Sequence, residues 1–211
     1  MPHDDFAVEP IKGLPERPPE GEEILWQGRP DWWALAKDSL ALKWVAGYFV
    51  FLALWRFVAV VDLMPLGRAV MTSLPFLVLG GIVIALLTLI AWVQARATVY
   101  TITNQRVAMR IGAALTLTLN LPYRWIGNAN LDLRRDGTGT IALQTTGKTR
   151  LSYLMCWPHV RPWRMARTEP ALRCIPDAAE VAKLLANAAE ARVSMPEVAP
   201  IDAPGAVLAA E

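Results

Sequence analysis

From Leu74 to Val93 the chain runs for 20 residues without a charged side chain. A helix of that length rises about 30 Å, the thickness of a bilayer's hydrocarbon. A core helix of a soluble domain keeps a polar face, and this run has none, so it predicts a transmembrane helix. A second apolar run, Trp44–Val61, carries one charge, Arg56. The link between them, Asp62–Ser73, is short and holds Pro65 and Gly67, so the runs predict a hairpin of spans at 44–61 and 74–93 with both chain ends on one side. Lys37 and Lys43 precede the hairpin and Arg96, Arg106 and Arg110 follow it, whereas Arg68 is the sole base of the link. The positive-inside rule then puts both ends of this multi-pass chain in the cytoplasm. Trp32, Trp33, Trp44 and Trp92 fall where an interfacial aromatic belt is expected. A cleavable signal sequence does not fit, because the first run begins only at Trp44 and lacks a small-residue cleavage site.

Arg56 is a charge inside a span, which costs about 2.5–3.5 kcal/mol on insertion scales. It reads first as a side chain reaching toward the outer interface, and second as a polar contact to another membrane helix. Gly81 and Ala85 offer a small-residue face for such packing.

The composition agrees with a membrane-bound chain. Hydrophobic residues make up 54% and charged residues 19%, below the roughly 25% of ordinary soluble domains, which argues against both a disordered chain and a typical soluble enzyme. Two Cys and two His exclude a disulfide framework and any His/Cys-rich metal cluster. The charge is arranged in blocks. Residues 1–23 hold seven acids against two bases, residues 96–175 twelve bases against three acids, and residues 176–211 six acids against two bases. A basic body between acidic ends is suited to an anionic surface.

Beyond the hairpin the period changes from helical to two. Leu115, Leu117, Leu119 and Leu121 alternate with Thr and Asn; Val107, Met109 and Ile111 alternate likewise, as do Ala129, Leu131 and Leu133, then Ile141 and Leu143. Turn residues at Thr103–Arg106, Gly112 and Asp136–Gly139 separate the runs. Five or six antiparallel strands are expected over 97–154, with another at 171–175. Pro176, Asp177 and Glu180 form a helix-start signal with Asp177 as N-cap and Glu180 as its reciprocal partner. Val181, Leu184, Leu185 and Ala188 then share one face of an amphipathic helix. The fold expected is α+β: a membrane hairpin, then an antiparallel β domain over 96–191 closed by a C-terminal helix, with 21–43 as a juxtamembrane segment. The segments 1–20 and 193–211, rich in Pro and Ala, read as disordered tails.

Two motifs carry a resemblance. Tyr100-Thr-Ile-Thr-Asn-Gln-Arg-Val107 after the hairpin, and Gly21-Glu-Glu-Ile-Leu-Trp-Gln-Gly-Arg-Pro30 before it, resemble the bacterial PH-like (pleckstrin-homology-like) membrane proteins. Further segments are similar to a narrower group, the photosynthetic complex assembly proteins of purple phototrophic bacteria. These are Leu117–Arg124, Asp136–Gly139, Trp157-Pro-His-Val-Arg-Pro-Trp-Arg164 and Glu169–Arg173. The resemblance covers roughly 20–190. It implies a PH-like fold and a non-enzymatic factor, without cofactor, that helps assemble the reaction centre and its light-harvesting complex.

His159 reads as a loop histidine among surface aromatics rather than a ligand of pigment magnesium; the spans themselves contain no His. Cys156 and Cys174 read as reduced thiols, although a Cys156–His159 nucleophile pair is open. Asp136-Gly-Thr-Gly139 is a hairpin turn, since it lacks the Lys-Ser/Thr of a phosphate loop. Asp132 and Asp136 are the only acids in 96–168, which disfavours two-carboxylate catalysis. The basic set includes Arg124, Arg134, Arg135, Lys148, Arg150, Arg161, Arg164 and Arg167. Tethered at the bilayer, it is suited to anionic lipid headgroups at about 1 kcal/mol per base; nucleic acid is disfavoured for want of any motif. Arg56, Arg124, Arg134, Arg135, Trp157, His159, Arg161, Trp163 and Arg164 are thus the candidate contacts to a reaction-centre or light-harvesting subunit, or to lipid. Homo-oligomerisation is compatible with the sequence. Three functions compete: an assembly factor, a generic lipid-binding module on an anchor, and a membrane enzyme or small transporter, which lacks paired acids.

Overall fold

The computed structural model of the chain describes residues 11–113, 115–146 and 151–194. Two helices dominate one end. α2 (Leu42–Val60) and α3 (Leu66–Ala97) pack against each other, and both are long and apolar enough to cross a membrane by length and composition. Little of either is buried inside the chain, so Phe51, Leu54, Trp55, Ile82, Leu86 and Leu89 face outward. They come close together at Gly80, where an added Cβ would lie 2.7 Å from Cβ of Phe49. Gly81 and Ala85, the expected packing face, point outward instead.

α3 has 32 residues, about 48 Å of helix, and begins eight residues before the expected span at Leu74. Most of the expected link is therefore helical. Pro65 is the N-cap residue of α3, a place where a missing N–H costs nothing, so it starts the helix instead of prolonging the loop. At the other end, the last turns of α3 reach past the apolar run. There Ala91 and Ala95 pack on α1 (Trp32–Asp38), a short helix whose N-cap Asp31 accepts a 2.6 Å hydrogen bond from the Ala34 N–H.

The β domain holds two antiparallel sheets. The first contains β1 (Ile24–Gly28), β2 (Val99–Thr103), β3 (Arg106–Ile111) and β4 (Leu117–Pro122), in that order. The second contains β5 (Ile126–Leu133), β6 (Gly139–Thr145) and β7 (Ala171–Ile175). Between β6 and β7 lies α4 (Tyr153–Cys156), a single turn, and α5 (Ala178–Val193) follows β7. The inward residues of the alternating runs meet in one core: Ile102, Val107, Met109, Leu119 and Leu121 from the first sheet, Ile141, Leu143 and Leu172 from the second, and Val181, Leu185 and Ala188 from α5.

Three expectations change. The β domain does not begin at 96: β1 lies before the hairpin and pairs with β2 after it, so α1, α2 and α3 are inserted within the first sheet. Residues 11–20 are not a free tail, because Leu14 is buried and the Gln27 side chain donates to the Lys12 carbonyl at 2.7 Å. Asp177 has φ of +50° and makes no side-chain cap, since the chain turns sharply there to bring α5 back over the sheet. On α5 the expected face packs on the core: Val181, Leu185 and Ala188 are buried, and Leu184, half-buried, packs against them. The remainder of both expected tails, with Lys148 and Arg150, lies outside the described residues.

Candidate functional site

The two motifs flanking the hairpin touch. Asn104 donates to the Gly21 carbonyl at 2.9 Å and accepts from the Glu23 N–H at 3.1 Å. Arg106 holds the buried Glu22 carboxylate with two bonds, at 2.7 and 3.0 Å. Such a forked pair fixes geometry as well as charge. These residues therefore clamp the segment before the hairpin onto the sheet after it.

At the root of the hairpin the chain forms a cleft of about 600 Å³. Lys37, Asp38 and Ser39 from the end of α1 and Trp44 from the first turn of α2 make one wall. Tyr153, Trp157, Val160, Trp163 and Met165 from the β6–β7 connection make the other, and Arg173 of β7 closes it. Ala41, also in the lining, has φ of +52°, which turns the chain from α1 into α2. Trp163 has φ of +64°, rare for a bulky residue, and its side chain is 90% exposed.

Charge organises the inner end. Arg173 is only 3% exposed, yet it carries a guanidinium. Its Nη2 donates to Asp38 Oδ2 at 2.5 Å and to Ser39 Oγ at 2.7 Å. Arg134 reaches the same Asp38 oxygen at 2.6 Å. One carboxylate thus serves two guanidiniums, and Nε of Arg173 and Nη1 of Arg134 stay buried without a hydrogen-bond partner. A smaller hollow of about 310 Å³ adjoins it, sharing Lys37 and Asp38 and adding Lys43, Arg134 and Arg135.

His159 is the peg that holds the aromatic wall in place. It is not a surface loop residue; its ring is fully buried at the junction of α3 and β2. Nδ1 lies 2.6 Å from Tyr100 Oη, and Nε2 lies 3.0 Å from Thr98 Oγ1. Tyr100 Oη also accepts from the Arg173 N–H at 3.2 Å, so its own proton is free to go to Nδ1. The consistent tautomer carries its proton on Nε2 and donates it to Thr98. Burial, helped by the Arg173 charge, pushes the imidazole pKa down to about 3, so the ring is neutral. With both nitrogens engaged, His159 is not placed as a base for Cys156. Burial raises the pKa of the Cys156 thiol and takes that of Cys174 to about 11, opposite to what a reactive thiolate needs.

The structure brings Trp157 and Trp163 to the cleft, and Arg134 and Arg135 to the adjoining hollow. Arg161 and Arg164 flank the aromatic wall and face Glu169, at 3.0 and 4.0 Å. Arg124 lies apart, beside the Trp125 ring, and Arg56 lies far along α2 on its outward face. The excess of bases over 96–175 is smaller in space than in sequence, because Glu22 and Asp38 from before the hairpin fold back onto it. Sequence reasoning missed Lys37, Asp38, Trp44 and Arg173. Their signal was present in the Lys37-Asp38-Ser39 end of α1, but nothing local tied it to a loop more than a hundred residues away.

The bacterial PH domain family matches residues 42–189. The chain belongs to this family. Over 211 aligned residues it is 44% identical to a 23.7 kDa protein of Rhodobacter capsulatus named for its place in the puhA 5′ region, and the match covers 97% of each chain. A crystal structure of a pleckstrin-homology domain protein from Shewanella loihica aligns with a TM-score of 0.29 at 14% identity, over 44% of this chain and 71% of that one. The bacterial PH domain match begins at Leu42 and so leaves out β1, the strand that the Asn104 and Arg106 clamp returns to the sheet.

Proposed function

We propose that this protein is a membrane-anchored, non-catalytic assembly factor for a photosynthetic complex, of the PuhB type. In this reading α2 and α3 cross the inner membrane as a hairpin, and both termini and the PH-like domain are cytoplasmic. The cleft at the hairpin root is the docking site for a reaction-centre or light-harvesting subunit. One observation carries the reading. Trp157–Arg164, a fairly specific one among the segments similar to the assembly proteins, builds the aromatic wall of the cleft beside Trp44. Trp and Arg are the residues that dominate binding hot spots. The place of the Rhodobacter capsulatus relative in the puhA 5′ region supports the same direction.

A factor of this kind changes the amount of a complex and leaves its chemistry alone. Deleting the gene should lower reaction-centre absorbance per cell under phototrophic growth, while the complex that does form keeps normal spectra. Replacing Trp157 and Trp163 with Ala should reproduce part of that loss with the protein still in the membrane. Unchanged reaction-centre levels in the deletion strain would overturn the proposal.

A further inference from the structure

The β6–β7 connection displays apolar side chains that a water-facing loop does not favour. Leu154 is 85% exposed and Trp163 90%, and Met155 and Met165 stand out beside them. From Tyr153 to Met165 there is no acid, while Arg161 and Arg164 lie among these side chains and share the single Glu169 carboxylate, a net excess of one base. The position of this loop is fixed twice. His159 is pegged to Thr98 and Tyr100, directly after α3, and Trp157 and Trp163 share the cleft with Trp44, in the first turn of α2. The loop is therefore held at the level where the two apolar helices begin and end.

We infer that the loop Tyr153–Met165 is a third membrane anchor: Leu154, Met155, Trp163 and Met165 seat in the headgroup and upper acyl layer of the bilayer that α2 and α3 cross. This rests on the reading of those helices as spans. The composition is that of an interfacial belt, apolar and aromatic side chains edged by bases, which suits an anionic headgroup layer. A water-soluble partner would have to cover the same apolar tips at a depth already occupied by lipid. Seating the loop sets the mouth of the cleft at the membrane surface, so that its occupant arrives within the plane of the membrane and not from the cytosol.

The test uses the full chain in nanodiscs containing phosphatidylglycerol. Cys156 and Cys174 are both buried, so a thiol-reactive fluorophore will report a single introduced cysteine. Trp163→Cys and Leu154→Cys report the loop, and Leu54→Cys, on the outward face of α2, reports the spans. The expected result is that both loop labels lose most of their emission to a quencher at headgroup depth, and the Leu54→Cys label to one deep in the acyl layer. Loop labels that stay bright while the Leu54→Cys label is quenched would overturn the anchor and leave the spans standing. A bright Leu54→Cys label would overturn the spans, and the anchor with them.

Discussion

His159 offers a quantitative test of how the aromatic wall is held. Its ring is buried and neutral, with a pKa of about 3 against 6.5 when exposed. A base whose folded pKa is depressed contributes stability that is intact above the unfolded pKa. That stability is lost as pH falls from 6.5 toward 3, because only the unfolded chain takes up the proton. Each pH unit in that window is worth about 1.4 kcal/mol, so acidification from pH 7 to about pH 4.5 should cost the folded chain on the order of 2–3 kcal/mol through this residue. His159→Gln removes the titration while keeping an acceptor for Tyr100 and a donor for Thr98. At pH 7 the substitution should cost about 1–2 kcal/mol for imperfect hydrogen bonds. Thermal unfolding of the detergent-solubilised chain, followed by near-UV circular dichroism, compares the two proteins at both pH values. Carboxylates titrate in both proteins, so the difference between them isolates the histidine. For a chain of this size the wild type should lose about 5–10 °C more than the variant on acidification. Equal losses would refute the neutral, doubly bonded histidine and the peg built on it.

Two further outcomes follow from the packing. Leu185→Ala should lower stability by about 2–4 kcal/mol, and Leu184→Ala by clearly less, in denaturant titrations of the same preparation, since Leu185 is the buried leucine of α5. Asp38→Asn should cost about 1–3 kcal/mol, because Arg173 loses its charged partner within the fold; a double variant with Arg134→Gln should recover part of it by removing the second guanidinium.

The sequence made the hairpin and the alternating strands legible because each is a local pattern. A charge-free apolar run of 20 residues declares a long helix without reference to the rest of the chain, and alternating Leu and Thr declares a strand with one buried face. β1 escaped because Ile24–Gly28 is short, half-exposed and paired with residues on the far side of the hairpin. The site divides the same way. Trp157, Trp163 and their arginines stood out as a run; the two tryptophans line one wall of the cleft, while Arg161 and Arg164 face Glu169. The opposite wall did not, because Lys37, Asp38 and Trp44 look like ordinary flanks of a span until Arg173 folds against them. His159 was misread for a related reason: a histidine beside two tryptophans and two prolines looks like a surface residue. Only the return of the loop over the α3–β2 junction supplies its partners, Thr98 and Tyr100.

The insertion of the helices within the first sheet bears on how the chain is made. β1 leaves the ribosome first and has nothing to pair with; Gln27 waits 74 residues for Thr101, its cross-strand neighbour. Those intervening residues include both apolar helices, so β1 meets β2 only after α3 has brought the chain back to the side from which α2 departed. In the proposed topology, a chain whose second helix fails to return leaves the open edge of β2 on one side of the bilayer and β1 on the other. The pairing of β1 with β2 would then mark a completed hairpin, and a half-inserted molecule would present an unpaired strand edge, the form of backbone that aggregates.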